Sequence, residues 1–307
     1  MSEFVSICEV GPRDGLQIAK TRMTTDDKVR WIASIAAAGV REVEVGSFVP
    51  PRVIPQLADT PEVVARVLAE VPGLVVQALA PNLRGVQNAY HAGVHKISIP
   101  VSVSEGHSRA NLNRTPAQSI EMMREIMAWL KAQPRKVPVV AGASTAFGCS
   151  IDGVVSTAQT VALAKGLADA GVDEIMLADT VGYAHPAQVK EVVRATREAI
   201  GPVLYGLHLH DTCGLGVANA LAGLEEGIRA FDSCLGGLGG CPYAPGASGN
   251  VVTEDLVFML ESMGFRTGID LDALLASRAV LHAGLPGEAL HGQLPKAGIP
   301  RTFRKAA

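Results

Sequence analysis

Aromatic residues make up only 4% of the 307 positions, and neither charge is in excess: 27 lysines and arginines meet 30 aspartates and glutamates, a formal net charge of −3. Near-balance excludes the basic footprint of a nucleic-acid binder or of a protein drawn to acidic membranes, so neither is expected as a partner. Cysteine is sparse. Cys8, Cys149, Cys213, Cys234 and Cys241 are odd in number and include no C-x-x-C pair, which argues against a disulfide framework and for a reducing compartment. No apolar run reaches transmembrane length without a charge or a glycine. Strand-like sequence begins at Phe4, so no signal or transit segment is expected and the expected setting is the cytoplasm. A phosphate loop ending in Gly-Lys-Ser/Thr is missing, and Gly11-Pro12-Arg13-Asp14-Gly15 is not a dinucleotide fingerprint.

Aliphatic residues and glycine dominate instead. At 48% hydrophobic, the chain has ample material for one large core. Phe4–Val10 reads as a first strand, and Thr24 caps the helix that follows, with Val29, Ile32, Ala33 and Ala36 on one face. The end of that helix recurs: Ala38-Gly39-Val40, Ala92-Gly93-Val94, Ala170-Gly171-Val172 and Glu226-Gly227-Ile228 each close a helical segment and open a short β-rich run. Glycine there suits a left-handed helix end, and short apolar runs suit buried parallel strands. Three further runs open at Pro72, Val137 and Gly201, which brings the total to about eight β-α units, the number in a closed (β/α)8 TIM barrel. A doubly wound open sheet fits the same alternation, but its fingerprint is lacking. The expected organisation is therefore an α/β barrel with a C-terminal helix, Leu271–His282, over residues 1–285, and a Gly- and Pro-rich tail over 286–307. Lys296, Arg301, Arg304 and Lys305 make that tail basic, which reads as a solvated, mobile end or as a flap over the barrel mouth.

Catalytic groups of such barrels sit at the C-terminal ends of the strands. The sequence offers Arg13 and Asp14 after strand one, Glu44 on strand two, Asp179 and Thr180 on strand six, and His208-Leu209-His210 at the end of strand seven. Alternation along a strand puts His208 and His210 on the same side, as half of a metal site or as two hydrogen-bonded rim histidines. Asp14 and Asn250 would complete a mixed N/O ligand set. Such a set leans toward Mg²⁺ or Mn²⁺ rather than zinc. The plain alternatives are an Arg13–Asp14 ion pair and a capping Asn250. The stretch from Gly236 to Asn250 is the most unusual in composition, with glycines around Cys241. It reads as a lid carrying that cysteine over the pocket, and the other four cysteines take the structural reading.

Four motifs in order, Glu9-Val10-Gly11-Pro12-Arg13-Asp14-Gly15-Leu16-Gln17, Val43-Glu44-Val45-Gly46-Ser47-Phe48, His208-Leu209-His210-Asp211 and Gly237-Leu238-Gly239-Gly240-Cys241-Pro242-Tyr243-Ala244, resemble the 3-hydroxy-3-methylglutaryl-CoA lyase family of divalent-metal barrel enzymes. The similarity runs from about residue 4 to about residue 262. It implies a retro-Claisen cleavage of an acyl-CoA thioester, with Asp14, His208, His210 and Asn250 on the metal and Arg13 at the developing enolate. Glu44 would fix Arg13, Cys241 would act as acid/base, and Asp179 would be a further pocket carboxylate. Gln17, Lys20, Asn111 and Thr180 stand as substrate-binding candidates, Lys20 and Asn111 on the CoA side. The base for the substrate alcohol stays open between a metal-linked histidine and Asp14. A homo-oligomer, a dimer at its simplest, is allowed but not specified.

The fifth strand departs from the family, which carries Arg-Gly-Tyr where this chain has Val140-Ala141-Gly142. That departure brings in other thioesters, (R)-citramalyl-CoA or a methylglutaryl analogue with a hydrophobic tail. A condensing synthase of the same superfamily is disfavoured by the Cys241 loop and by the lack of a long C-terminal extension. A metal-binding scaffold without catalysis is disfavoured because no acid/base group is missing.

Overall fold

A computed structural model describes residues 3–240 and 249–305. Among these residues, eight strands alternate with helices: β1 (Ser6–Glu9), α1 (Thr25–Ala37), β2 (Glu42–Ser47), α2 (Thr60–Glu70), β3 (Val75–Leu79), α3 (Leu83–Ala92) and β4 (Lys96–Ser102). Two helices, α4 (Glu105–Leu112) and α5 (Pro116–Lys131), precede β5 (Val139–Ser144), followed by α6 (Thr157–Asp169), β6 (Glu174–Asp179), α7 (Pro186–Ile200), β7 (Leu204–Leu209), α8 (Gly216–Glu225) and β8 (Ala230–Ser233). Three more, α9 (Thr253–Ser262), α10 (Leu271–Gly284) and α11 (Leu294–Ala297), complete the chain. Every strand pairs in parallel with its sequence neighbours, and β1 closes on β8 through Ser6↔Ala230 and Glu9↔Ser233. The fold is the (β/α)8 barrel expected from the repeat.

The local signals hold. The Thr24 hydroxyl accepts from the Asp27 N–H at 3.1 Å to start α1, whose Val29, Trp31, Ile32 and Ile35 are buried. Gly39, Gly93, Gly171 and Gly227 take φ of 104°, 92°, 87° and 84°, the left-handed geometry that ends a helix.

Strand register stacks the inward-facing side chains in tilted layers. Ser102 pairs with Ser144, Ala178 with His208 and His208 with Asp232, which forms the layer at the mouth. One pleat below, Pro100 pairs with Gly142, Gly142 with Met176 and Met176 with Gly206. At the floor, Lys96 is held between Glu42 and Glu174 with its ammonium over the Tyr205 ring.

The tail differs from a solvated end. The His291 N–H donates to the Gly236 carbonyl at 2.7 Å, the Gln293 and Leu294 amides cap onto Asp255, and Phe303 packs on Phe258 at 5.6 Å between ring centres. Residues 286–305 thus run along α9, where apolar contacts with Leu290, Leu294 and Phe303 offset the chain's polarity. No described helix is long and apolar enough to cross a membrane.

Candidate active site

The turn after β1 is a single wide helical turn, Gly11–Gly15, that delivers Arg13 and Asp14 to the mouth. It is anchored from below by Glu9, whose buried carboxylate accepts from the Gly11 N–H at 3.0 Å, the Leu235 N–H at 2.9 Å and the Thr253 hydroxyl at 2.7 Å. One side chain thereby ties the turn after β1 to the segment after β8. Gly11 is obligatory in this packing, since a Cβ there would lie 2.5 Å from Glu9 Oε1 and 2.8 Å from Cys234 Sγ.

Asp14 is buried and crowded with partners. Its Oδ1 takes the Arg13 guanidinium and the Gln17 amide at 2.9 Å; its Oδ2 takes the Asn250 amide nitrogen at 2.7 Å and lies 3.8 Å from His210 Nε2. His208 and His210 do share a side, their Nε2 atoms 3.1 Å apart. Asp14, His208 and His210 each bring one donor atom within 4.8 Å of the others. His208 Nδ1 is engaged by Asp232 at 3.0 Å, so Nε2 is the atom turned to the cluster. This carboxylate-to-imidazole support is the usual partner of a metal-ligating histidine.

Burial works to raise Asp14, but Arg13, the two imidazoles and Asn250 outweigh it and bring it down to about 2. His210 is pushed to about 4 by burial and by its neighbour His208, so it is neutral near pH 7. Burial also works against a charged His208, and the hydrogen bond and charge of Asp232 overcome it and raise that imidazole.

Does this set fit a cation? The Asn250 amide nitrogen is spent on Asp14 and on the Leu238 carbonyl at 3.1 Å, which fixes the flip, and its Oδ1 is buried with no partner among the described residues. An orphaned carbonyl oxygen beside a carboxylate and two imidazoles is costly unless something positive takes it. The donor set is N/O with no thiolate and fits a divalent ion. His210 Nδ1 is likewise buried without a partner among the described residues.

Arg13 bridges Asp14 and Glu44, and Glu44 is in turn held by the Ser98 hydroxyl and by the Gln77 amide at 3.4 Å. All these groups face one cavity of about 460 Å³ that runs down the barrel axis, with Gln17, Asn111, Thr180 and Gly240 on its wall. Cys241 and the loop to Ser248 lie outside the described residues; Gly240, immediately before them, lines the cavity.

One expectation needs correction. Asp179 does not line the cavity. Strand alternation turns Ala178 inward and Asp179 outward, where its carboxylate accepts from the Tyr183 and Ala184 amides at 3.0 and 3.1 Å and shapes the turn into α7. Burial pushes it up to about 6, against the pull of those amides. The native state then holds this proton more tightly than the unfolded chain, so the contribution of Asp179 to stability falls as pH rises from about 4 to about 6. Asp179→Asn removes that slope; melting temperatures of both proteins across this range test it, and a constant difference between them would mean the carboxyl is ionised throughout. Lys20, a candidate for the CoA side, is exposed outside the cavity wall, with its backbone N–H on Glu288 Oε1 at 2.7 Å.

Asp232, Glu9, Gln77 and Ser98 went unnoticed in the sequence. Asp232 had a signal: it is a carboxylate inside a short apolar strand, at the inward position two after Ala230.

An eight-stranded barrel whose mouth gathers a carboxylate, two imidazoles and a buried arginine has the make-up of a divalent-metal barrel enzyme, and comparison with known proteins places it among the carbon–carbon lyases. The HMGL-like family model matches residues 4–281, and the chain belongs to that family. It is 40% identical over 273 residues to a hydroxymethylglutaryl-CoA lyase of Bacillus subtilis (strain 168), covering 89% of this chain and 90% of that protein. It is also 40% identical over 305 residues to the (R)-citramalyl-CoA lyase of Chloroflexus aurantiacus, covering 96% of this chain and 95% of that one. The solved HMG-CoA lyase of A. baumannii in complex with coenzyme A and 3-methylmalate superposes with a TM-score of 0.91 at 41% identity, over 98% of this chain and 97% of that one.

Proposed function

We propose that the protein cleaves 3-hydroxy-3-methylglutaryl-CoA to acetoacetate and acetyl-CoA. The observation that carries this reading is the cluster of Asp14, His208 and His210 beside Arg13 in one cavity at the barrel mouth, with the orphaned oxygen of Asn250 on the amide whose nitrogen holds Asp14. Those four residues would hold Mg²⁺ or Mn²⁺, which supplies Lewis acidity to the substrate's tertiary alcohol. The likeness to a lyase solved with coenzyme A supports a CoA thioester as substrate, its acyl end in the cavity and Asn111 on the wall.

In the reaction the alcohol loses its proton to a basic group of the cluster, the bond between C2 and C3 breaks, and its electron pair becomes the thioester enolate. Arg13, locked by Glu44 and Asp14, presents its remaining N–H groups to the enolate oxygen, an oxyanion-hole part. Cys241 delivers a proton to C2 to give acetyl-CoA. Gln17 holds Asp14 in register, and Thr180 lines the acyl chamber. Barrel and tail act as one catalytic unit, with residues 286–305 bracing the segment around Gly236.

The fifth-strand departure and the near full-length similarity to the citramalyl-CoA lyase favour (R)-citramalyl-CoA as the second reading. Acetyl-CoA release from each thioester with Mg²⁺ present decides between them. A higher kcat/KM for 3-hydroxy-3-methylglutaryl-CoA is the expected result, and a higher value for (R)-citramalyl-CoA would transfer the assignment.

A further inference from the structure

The inward layers of a (β/α)8 barrel are ordinarily filled by bulky branched side chains. Here the layer beneath the mouth consists of Pro100, Gly142, Met176 and Gly206, with Ala230 next to Gly206. Its two glycines differ. A Cβ at Gly206 would lie 2.7 Å from Met176 Sδ and 2.4 Å from the Ala230 carbonyl, so that side of the barrel is full. A Cβ at Gly142 would meet nothing nearer than the Ile99 carbonyl at 4.0 Å, and Gly142 is absent from the residues with positive φ. Neither backbone conformation nor packing calls for glycine there. A glycine inside a strand weakens it and commonly marks close approach by a ligand. Gly142 lines the same cavity as Asp14, His208 and Arg13 and sits one pleat, about 7 Å, below the layer of His208.

The side chains beside it on the wall, Pro100, Val140 and Met176, are apolar, and the nearest polar ones, Ser98 and Ser144, lie one pleat below and above. The lysine and the arginine among the described lining residues are both engaged. Arg13 lies between Asp14 and Glu44, and Lys96 between Glu42 and Glu174. A carboxylate sent down this chamber would face an ion cluster with more acid than base, whereas a hydrocarbon would displace water from an apolar wall.

We propose that the space opened by Gly142 is a subsite for an alkyl branch on the carbinol carbon, so that the enzyme accepts hydroxyacyl-CoA thioesters in which a longer, uncharged chain replaces the methyl group. The inference deepens the lyase reading and rests on it. The branch takes no part in bond breaking; cleavage gives acetyl-CoA and the β-keto acid that carries it.

The test compares 3-hydroxy-3-methylglutaryl-CoA with its homologue bearing n-butyl in place of methyl, in wild type and Gly142→Leu, by acetyl-CoA release with Mg²⁺. Wild type is expected to cleave the butyl thioester with a kcat/KM at least equal to that of the methyl one. Gly142→Leu is expected to lower the butyl-to-methyl ratio by at least roughly 10–200-fold, the range for a mismatch of a single methylene in an apolar pocket. Gly142→Ala, which has room for its methyl group, is expected to lower the ratio by less and to melt no lower than wild type. The proposal is overturned if wild type cleaves the methyl thioester while preferring it tenfold or more over butyl, or if the ratio is the same in all three proteins. Release of acetyl-CoA from neither thioester would instead overturn the lyase reading, and this proposal with it.

Discussion

His210→Ala is expected to lower kcat by about three orders of magnitude, because on the proposed reading it removes one of four donors to a cation whose Lewis acidity would be worth several kcal/mol. The result separates a ligand from a structural residue. In the metal-free protein His210 contributes little: its Nδ1 has no partner among the described residues and its Nε2 faces another imidazole 3.1 Å away. Melting after chelation is therefore expected to shift only modestly on substitution. The difference lies in what added Mn²⁺ does. At about a hundred times its dissociation constant, an ion bound only to the native state stabilises by roughly 2.7 kcal/mol, and wild type is expected to show a rise of that order. The variant is expected to show little or none. Titration calorimetry with Mn²⁺ measures the same loss directly, and an unchanged Mn²⁺ affinity in His210→Ala would remove this histidine from the ligand set.

How much of this was legible in the sequence follows from which residues act alone. Helix ends marked by Ala-Gly-Val and strands read from apolar runs gave the barrel, because each signal is local and eight repeats of it allow few alternatives. The shared side of His208 and His210 follows from strand periodicity alone. Asp14 and Asn250, 236 positions apart, were brought together as donor types at strand ends of a barrel, and the resemblance implies the same set; nothing local announces that Glu9 ties the first turn to the segment after β8. Asp179 misled because a carboxylate at a strand's C-terminal end can face either way. Counting alternation from His208 through its partner Ala178 would have turned Asp179 outward. The tail misled for another reason: its glycines, prolines and basic residues read as solvated, while the contacts of Leu290, Leu294 and Phe303 with α9 and the Gly236 turn appear only in three dimensions.

Arg13→Met is the second large effect, and it falls on turnover and stability together. The guanidinium binds two carboxylates that are themselves buried, Glu44 at 1% and Asp14 at 5% exposure. Removing it leaves two anions in a low-dielectric site with weakened compensation, a loss of about 3–5 kcal/mol when a buried pair is broken. Arg13 is also the strongest influence holding Asp14 down to about 2. In the variant the Asp14 carboxyl moves up, so the stability that wild type keeps until pH falls well below 4 is lost at higher pH. Losing one oxyanion donor lowers kcat by about 10²–10³ with little change in KM. Arg13→Lys discriminates between charge and geometry. A lysine restores the positive charge, and with it much of the stability in urea unfolding, but a point charge cannot bridge Asp14 and Glu44 while still reaching an enolate oxygen. The expected outcome is near-normal folding with kcat still down by about 10²-fold. Recovery of wild-type kcat in Arg13→Lys would mean that charge alone serves the reaction, and that the Glu44–Arg13–Asp14 arrangement is there for folding.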